Sequence, residues 1–433
     1  MSVHLAKGTR DHLPEKMNQR LHVIGILREV FERYGFEPLE TPAFERIETL
    51  MGKYGDEGEQ LIFKILKRGE GGKRGEVDQA LRYDLTVPLA RVVAMNSALR
   101  MPFKRYQIQP VWRADRPQRG RYREFVQCDV DTVGCTSMLA DAECVAVLHD
   151  GLQALGFTGF TIRVNHRALL RACVEHVGLG DMESSVLIAI DKLDKIGRDG
   201  VNAELSGRGV SDEAIATLWE LFSVRGPGAL DHLEAVLGEP AIGPINELRE
   251  MLDAAAEMGV VLDRLLVDPT LARGLGYYTG PVFEAEVTEP KIGSISGGGR
   301  YDGLVGIFSN REVPAVGLSL GLDRLVVVME ELGLFPDLRS ASKVLVTVYS
   351  EELRPHSIRA ASSIREAGVP AQLVLDRVGK IGKQFKAADQ AGIPWVVVIG
   401  PDDLAAGTVS LKHLPSGTQE NLSLSRAIDK IRG

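Results

Sequence analysis

From Phe125 onward the alternation of polar and apolar residues is strict. Phe125, Gln127, Asp129 and Asp131 fall on one face of a period-two strand, and Val126, Cys128 and Val130 on the other. One face reads as core and the other as a polar wall, the ordinary pattern of antiparallel sheet with one wet side. Residues from Val111 read as the partner strand. The connection between them is a basic loop in which Arg116, Arg119, Arg121 and Arg123 crowd around Gly120, beside Arg113 at the end of the first strand. LRYDLTV, from Leu81 to Val87, alternates in the same way, with Arg82, Asp84 and Thr86 on one face and Tyr83, Leu85 and Val87 on the other. This predicts a second strand with a polar wall.

Helical spacing governs Met17, Leu21, Ile24, Leu27, Phe31 and Tyr34, and Gly35 stands where a left-handed cap would end the helix. FEPLETPAF follows as an extended stretch in which Pro42 marks a strand edge or end. LADAECVAVLHDGLQALG predicts a helix ending near Gly156, and FTIRVNH a strand. From Arg167 to Asn246 the period is helical, with breaks at Gly178, Gly200 and Gly226. Further strands are predicted at Leu265 to Asp268, Tyr277 to Val287 and Ser294 to Ser296, followed by SGGGRYDGL and a helix starting near Gly321. A linker, Phe335 to Ser342, leads to KVLVTV, AQLVLD and WVVVIG, apolar strands separated by helices at Pro355 to Ala367 and Ile381 to Ala391. Such runs imply a buried, mostly parallel sheet.

With 433 residues, 44% hydrophobic and 25% charged, the chain has material for two or three domains with their own cores. No run reaches the roughly 20 apolar residues of a membrane span. MSVHLAKGTRDHLPEKM has no apolar signal core, so a cytoplasmic protein is expected. Cys128, Cys135, Cys144 and Cys173 form no CxxC pair and have no matching histidine set, which points away from a zinc site or a disulfide framework. A net charge of −8 argues against coating nucleic acid by bulk electrostatics, so any polyanion must be met locally. The arginine loop, Lys67 to Arg74, and the set Arg377, Lys380, Lys383 and Lys386 are the candidates. The second has the GEGGKRGE composition of a solvated loop tip.

Arginines as dense as those of the Arg113 to Arg123 loop repel one another unless a polyanion is expected. WRADRPQRGRYREF resembles motif 2 of class II aminoacyl-tRNA synthetases, and FVQCDVD resembles its form in histidyl-tRNA synthetases. The first helix with Pro42 is similar to motif 1, which builds the dimer interface in that class. RGLGYYTGPVFEAEV, from Arg273 to Val287, resembles the histidine signature peptide, with Gly276 where the family usually has aspartate. GLSLGLDRL, carrying Arg324, resembles motif 3. The helical stretch, including DKLDKIG, resembles the family's insertion, and the carboxyl-terminal part its anticodon-binding domain. The resemblance therefore implies an α+β catalytic domain, an antiparallel sheet flanked by helices, over residues 1–166 and 247–335. A helical insertion would span 167–246 and an α/β anticodon-binding domain 343–433.

What the resemblance implies for chemistry is attack of the histidine carboxylate on the α-phosphate of ATP, with Mg²⁺, followed by transfer of histidine to the 3′ end of tRNA(His) by a homodimer. Charge gathers on phosphate oxygens in the first step, so fixed cations and in-line positioning are needed. Arginine suits this, since its fork grips phosphate or carboxylate with two hydrogen bonds and stays charged. Arg113 and Arg273 are the catalytic candidates, and Arg113, Arg121, Phe125 and Arg324 the nucleotide set. Histidine would be met by Asp84, Leu85, Thr86, Arg113, Gln127, Asp131, Arg273, Tyr277 and Tyr278. Within that set Asp84, Thr86 and Gln127 serve the ammonium group, and Asp131 and Tyr278 the ring. Gln127 and Asp131 lie about 13 Å apart along a strand, a gap that converging side chains can close. Gln118, Arg119 and Arg121 would approach the tRNA acceptor end, and Lys380, Lys383 and Lys386 its anticodon arm. No metal ligand is assigned, Asp115 being one carboxylate that could serve. The alternative is a noncatalytic, histidine-sensing paralogue like the regulatory subunit of ATP phosphoribosyltransferase, a class that generally lacks the carboxyl-terminal domain. Without the resemblance, Tyr277 and Tyr278 would read as core aromatics, Arg324 as a surface residue and the lysines as a solvated helix face.

Overall fold

A computed structural model describes residues 3–52, 58, 60–273, 277–375 and 380–433. Gly276 and Arg377 lie outside these. The chain divides into two compact units, one of Met1–Arg10 and Val23–Leu334, the other of Asp11–His22 and Phe335–Gly433.

The first unit is built on an eight-stranded sheet. Its strands run in the order Glu37–Pro38, Phe103–Trp112, Glu124–Val133, Ala315–Gly321, Ser294–Arg300, Pro281–Val287, Phe160–His166 and Leu265–Val267. Both outermost pairings are parallel and the others antiparallel. Phe103–Trp112 and Glu124–Val133 are the two long strands flanking the basic loop, and they pair with Arg105 opposite Asp131 and Gln109 opposite Gln127. The helix Met138–Ala154 covers the sheet with Val145, Leu148 and Leu152 fully buried, its first turn capped by Ser137, whose hydroxyl accepts from the Leu139 amide at 3.2 Å.

Four expectations are corrected. LRYDLTV is not a strand: the strand Val77–Leu81 ends there, residues 82–85 turn, and a helix begins at Thr86. Alternation misled because Arg82, rather than facing the wet side, is buried and donates to the carbonyl oxygens of Thr41 and Pro110 at 2.7 and 2.9 Å. The helical stretch does not stop at Asn246, which lies inside the helix Glu239–Glu257. Pro244 forfeits a hydrogen bond there, but the buried stripe Ala241, Ile245, Leu248, Met251 and Ala255 carries the helix across it. The strand expected from Tyr277 starts only at Pro281. The strand at Ser294 runs on to Arg300 through three glycines. Two of them are needed there, since a Cβ on Gly298 would collide with the Phe283 ring and the Gly317 carbonyl, and one on Gly299 with the Pro281 carbonyl.

The second unit carries a five-stranded sheet ordered Ala371–Leu373, Val344–Val346, Trp395–Val398, Val409–His413 and Gln419–Leu422. The first three strands are parallel, as their apolar runs imply, and the last two add antiparallel pairings. Sequence pattern missed this pair because VSLKH and QENL lack an apolar run. Val344, Val346, Ile364, Val397 and Leu411 form the core. Within this unit Asn18 Nδ2 donates to the Leu338 carbonyl at 2.9 Å.

Candidate active site

A cleft of about 820 Å³ opens over the polar face of the large sheet. It gathers Asp84, Thr86, Arg113, Arg121, Phe125, Gln127, Asp131, Arg273, Tyr277, Tyr278 and Arg324 from separate stretches of chain. Leu85 is not among its walls: the side chain is fully buried, and its carbonyl accepts from the Leu89 amide at 3.2 Å and from Arg105 at 3.4 Å. Gln118 and Arg119 also lie off the cleft. Gln118 pairs with Arg121 across the loop tip through bonds of 3.0 and 2.9 Å, and Arg119 is ion-paired with Glu331.

One end of the cleft is a deep polar pocket. Asp131 is buried, held by Arg105 at 2.7 Å through one carboxylate oxygen and by the Tyr301 hydroxyl, which donates to the other. Its neighbour on the same face, Asp129, lies 4.0 Å from the same guanidinium. Burial raises both carboxyls and Arg105 opposes the rise; Asp129, which also feels Asp131, is pushed up to about 7. Gln127 is fixed by donation from Nε2 to the Ser319 hydroxyl at 2.6 Å, which leaves its Oε1 without a hydrogen-bond partner among the described residues. Asp84 sits at the helix start, where its carboxylate accepts from the Val87 amide at 3.1 Å. Tyr277 and Tyr278 pack edge to face, ring centroids 4.9 Å apart. Burial raises both phenols, so each keeps its proton and can donate.

At the other end guanidinium groups converge. Arg113 donates to the Tyr83 carbonyl at 3.1 Å and lies against the rings of Tyr83 and Phe125, at 4.3 and 5.1 Å from their centroids. Arg324 donates to the carbonyls of Gly120, at 3.3 Å, and Ser294. Arg273 is paired with Glu284, and Arg121 lies 3.8 Å from Asp115. Arg324 feels this company: burial first, then Arg121 and Arg273, lower its affinity for its own proton. Carbonyl oxygens and ring faces orient Arg113 and Arg324 without neutralising them. The result is a recess lined by cations.

Sequence reasoning missed Arg105, Tyr301, Ser319 and Glu284, together with Ser184, Ile188 and Asp191, which reach the cleft wall from the helical stretch. The first had a legible signal: counting outward from the loop places Arg105 opposite Asp131. The last three had none. Among the described residues no three histidine, cysteine or carboxylate side chains cluster as a metal site. Asp115 lines the cleft, 3.8 Å from Arg121.

A sequence model described as Histidyl-tRNA synthetase matches residues 8–325, and one described as Anticodon binding domain matches residues 343–433. The chain belongs to the histidyl-tRNA synthetase family. It is 42% identical to a histidine–tRNA ligase of Cytophaga hutchinsonii, the match covering 99% of each chain. It is 43% identical to one of Christiangramia forsetii over 97% of each. The histidyl-tRNA synthetase of Nostoc sp. PCC 7120 superposes with a TM-score of 0.87 at 33% identity, covering 100% of this chain and 99% of the other. A structure from Bacillus halodurans described as an ATP phosphoribosyltransferase regulatory subunit/histidyl-tRNA synthetase shares the fold, with a TM-score of 0.73 at 22% identity over 89% of this chain and 97% of the other. The fold is thus class II-like with a carboxyl-terminal anticodon-binding domain, as the family resemblance implies.

Proposed function

We propose that this chain is a histidine–tRNA ligase that activates histidine with ATP and transfers it to tRNA(His). The observation that carries the reading is one cleft with a carboxylate-floored pocket at one end and four converging guanidinium groups at the other. A small zwitterion with a hydrogen-bonding ring fits the first end, and a triphosphate the second. Asp84, Thr86 and the open Oε1 of Gln127 meet the α-ammonium, Asp131 accepts a ring N–H, and Tyr278 addresses the other ring nitrogen. Arg273 and Arg113 bring the carboxylate against the α-phosphate. Arg324 and Arg121 take the remaining phosphate charge, and Phe125, stacked on Arg113, lies under the adenine. No protein nucleophile is required, because substrate oxygen attacks substrate phosphorus. Catalysis is positioning plus charge stabilisation by groups already oriented. The donor set suits Mg²⁺ bound mainly through phosphates, since that ion commonly takes only one or two protein carboxylates. Asp115 would hold it, and when bound it would neutralise phosphate oxygens.

Gln118, Arg119 and Arg121 face the tRNA acceptor end in this reading, with Arg119 exchanging Glu331 for a phosphate. A homodimer in the cytoplasm completes it, in keeping with described helices of which none is long and apolar enough to cross a membrane. A noncatalytic histidine sensor is disfavoured by near full-length relatives named as ligases and by a carboxyl-terminal anticodon-binding domain. The test is ATP–pyrophosphate exchange with each of the twenty amino acids. Histidine alone should support it, and equal response to another amino acid would reject the specificity.

A further inference from the structure

We infer that Arg105, a residue that does not line the cleft, is a positioning residue for recognition of the histidine ring, acting through Asp131. The inference rests on the functional reading above and adds to it the element that sets the pocket's floor.

Two buried arginines in the same sheet region make the case by contrast. Arg82 spreads its guanidinium over the carbonyl oxygens of Thr41, Pro42 and Pro110, which is how a buried arginine ties backbone segments together. Arg105 is equally buried, yet its Nε and Nη1 have no hydrogen-bond partner among the described residues. Its contacts run through Nη2: 2.7 Å to Asp131, 3.4 Å to the Leu85 carbonyl and 4.0 Å to Asp129. A guanidinium so under-used as a backbone clamp is placed for the carboxylates.

Register explains the placement. Arg105, Asp131 and Gly317 sit side by side on three adjacent strands. Gly317 leaves the space that Asp131 occupies, since a Cβ there would collide with the carboxylate. Tyr301 closes the arrangement by donating to the second oxygen. Asp131 is thus held through one oxygen by the ion pair with Arg105 and through the other by Tyr301, at a position in the cleft wall where a ligand N–H would meet it. A buried ion pair adds little to stability compared with an apolar replacement, so its value lies in holding that carboxylate ionised and aimed. Without Arg105, burial would pull the Asp131 carboxyl further toward its protonated form and one of its two holds would be lost.

The test is steady-state pyrophosphate exchange on the full-length protein with Arg105→Gln, Arg105→Lys and Tyr301→Phe. Arg105→Gln should raise KM for histidine about 20-fold or more, the size expected for a charge-assisted hydrogen bond, with KM for ATP within about two-fold of the parent. Arg105→Lys should recover most of that loss. Tyr301→Phe, which keeps the charge pair, should raise the histidine KM a few-fold in the same selective manner. Equal rises for histidine and ATP, or an unmoved histidine KM, would overturn the inference. If circular dichroism shows Arg105→Gln unfolded, Arg105→Lys decides: a histidine KM raised a few-fold with KM for ATP unmoved supports the inference, and no change in either, or equal rises in both, overturns it. Absence of histidine-dependent exchange in the parent protein would instead sink the functional reading itself.

Discussion

At the Asp131 end of the cleft a charge is met by a charge: Arg105 stands 2.7 Å from the carboxylate and Tyr301 donates to it. At the Arg324 end, Arg113 and Arg324 are held by carbonyl oxygens and ring faces, which fix direction and leave net charge in place. On the proposed function, the difference follows from what each end would receive. A ring N–H asks for an acceptor whose own charge is settled. A polyphosphate asks for positive charge left over, which neutral partners preserve. Arg273 sits between the two styles, paired with Glu284 yet with 44% of its side chain exposed.

The comparison is broken most severely at the cationic end. Arg273→Ala or Arg113→Ala should lower the rate of histidine-dependent pyrophosphate exchange by about 10²- to 10³-fold, roughly 3 to 4 kcal/mol of transition-state stabilisation. The melting temperature should also fall for Arg273→Ala, because the buried Glu284 carboxylate loses its partner, so exchange is compared at a temperature where both proteins are folded. Exchange within a few-fold of the parent would remove either residue from the chemistry.

At the anionic end the expected loss is smaller and falls on one substrate. Asp131→Asn keeps shape and removes charge, so KM for histidine should rise by about 10- to 100-fold, while KM for ATP stays put. A parallel rise in both would mean that the two ends are not independent.

Asp129 sharpens the contrast through pH. Its folded-state value, pushed up to about 7, stands above the roughly 4 of an unfolded aspartate. The folded protein therefore holds an extra proton between those values, and the stability this contributes at low pH is lost as pH rises through 7. Asparagine mimics the protonated form. The melting temperature of Asp129→Asn relative to the parent should be several degrees more favourable at pH 8 than at pH 5. A difference independent of pH would mean that Asp129 ionises freely in the fold.

Much of this site could be read along the chain because its chemistry is concentrated in short runs. Phe125 to Asp131 lies on one strand face, and the arginines of the basic loop are sequence neighbours. What stayed hidden depends on register and burial. Arg105 becomes visible only when Phe103–Trp112 is laid beside Glu124–Val133. Tyr301 and Ser319 reach the cleft floor from strands or strand ends that glycines make look like loops. Leu85 was set among the cleft residues for a related reason: the LRYDLTV alternation is real, yet Arg82 satisfies backbone carbonyls and the chain turns there, so Tyr83, Asp84 and Thr86 of that run reach the cleft and Leu85 does not. The helical stretch gave no sign that Ser184, Ile188 and Asp191 face the cleft, since nothing in a helical period names its partner.

Burial itself is the last variable to isolate, and the second unit supplies the control. Lys380, Lys383 and Lys386 are exposed at and along the helix Ile381–Gln390, whose buried positions are Gln384 and Ala388. Water and salt screen such charges, so each contributes little and only at low ionic strength. Replacing all three by glutamine should leave pyrophosphate exchange unchanged and raise KM for tRNA about three- to ten-fold near 50 mM salt, with the difference shrinking as salt increases. The measurement is aminoacylation of tRNA(His) at several salt concentrations. A KM for tRNA that ignores the substitutions would reduce these lysines to a solvated face. A loss of exchange would tie these lysines to the chemistry of the cleft. The expected small, salt-sensitive effect, set against the large effect of a single cleft arginine, would place the difference in the dielectric around each cation rather than in their number.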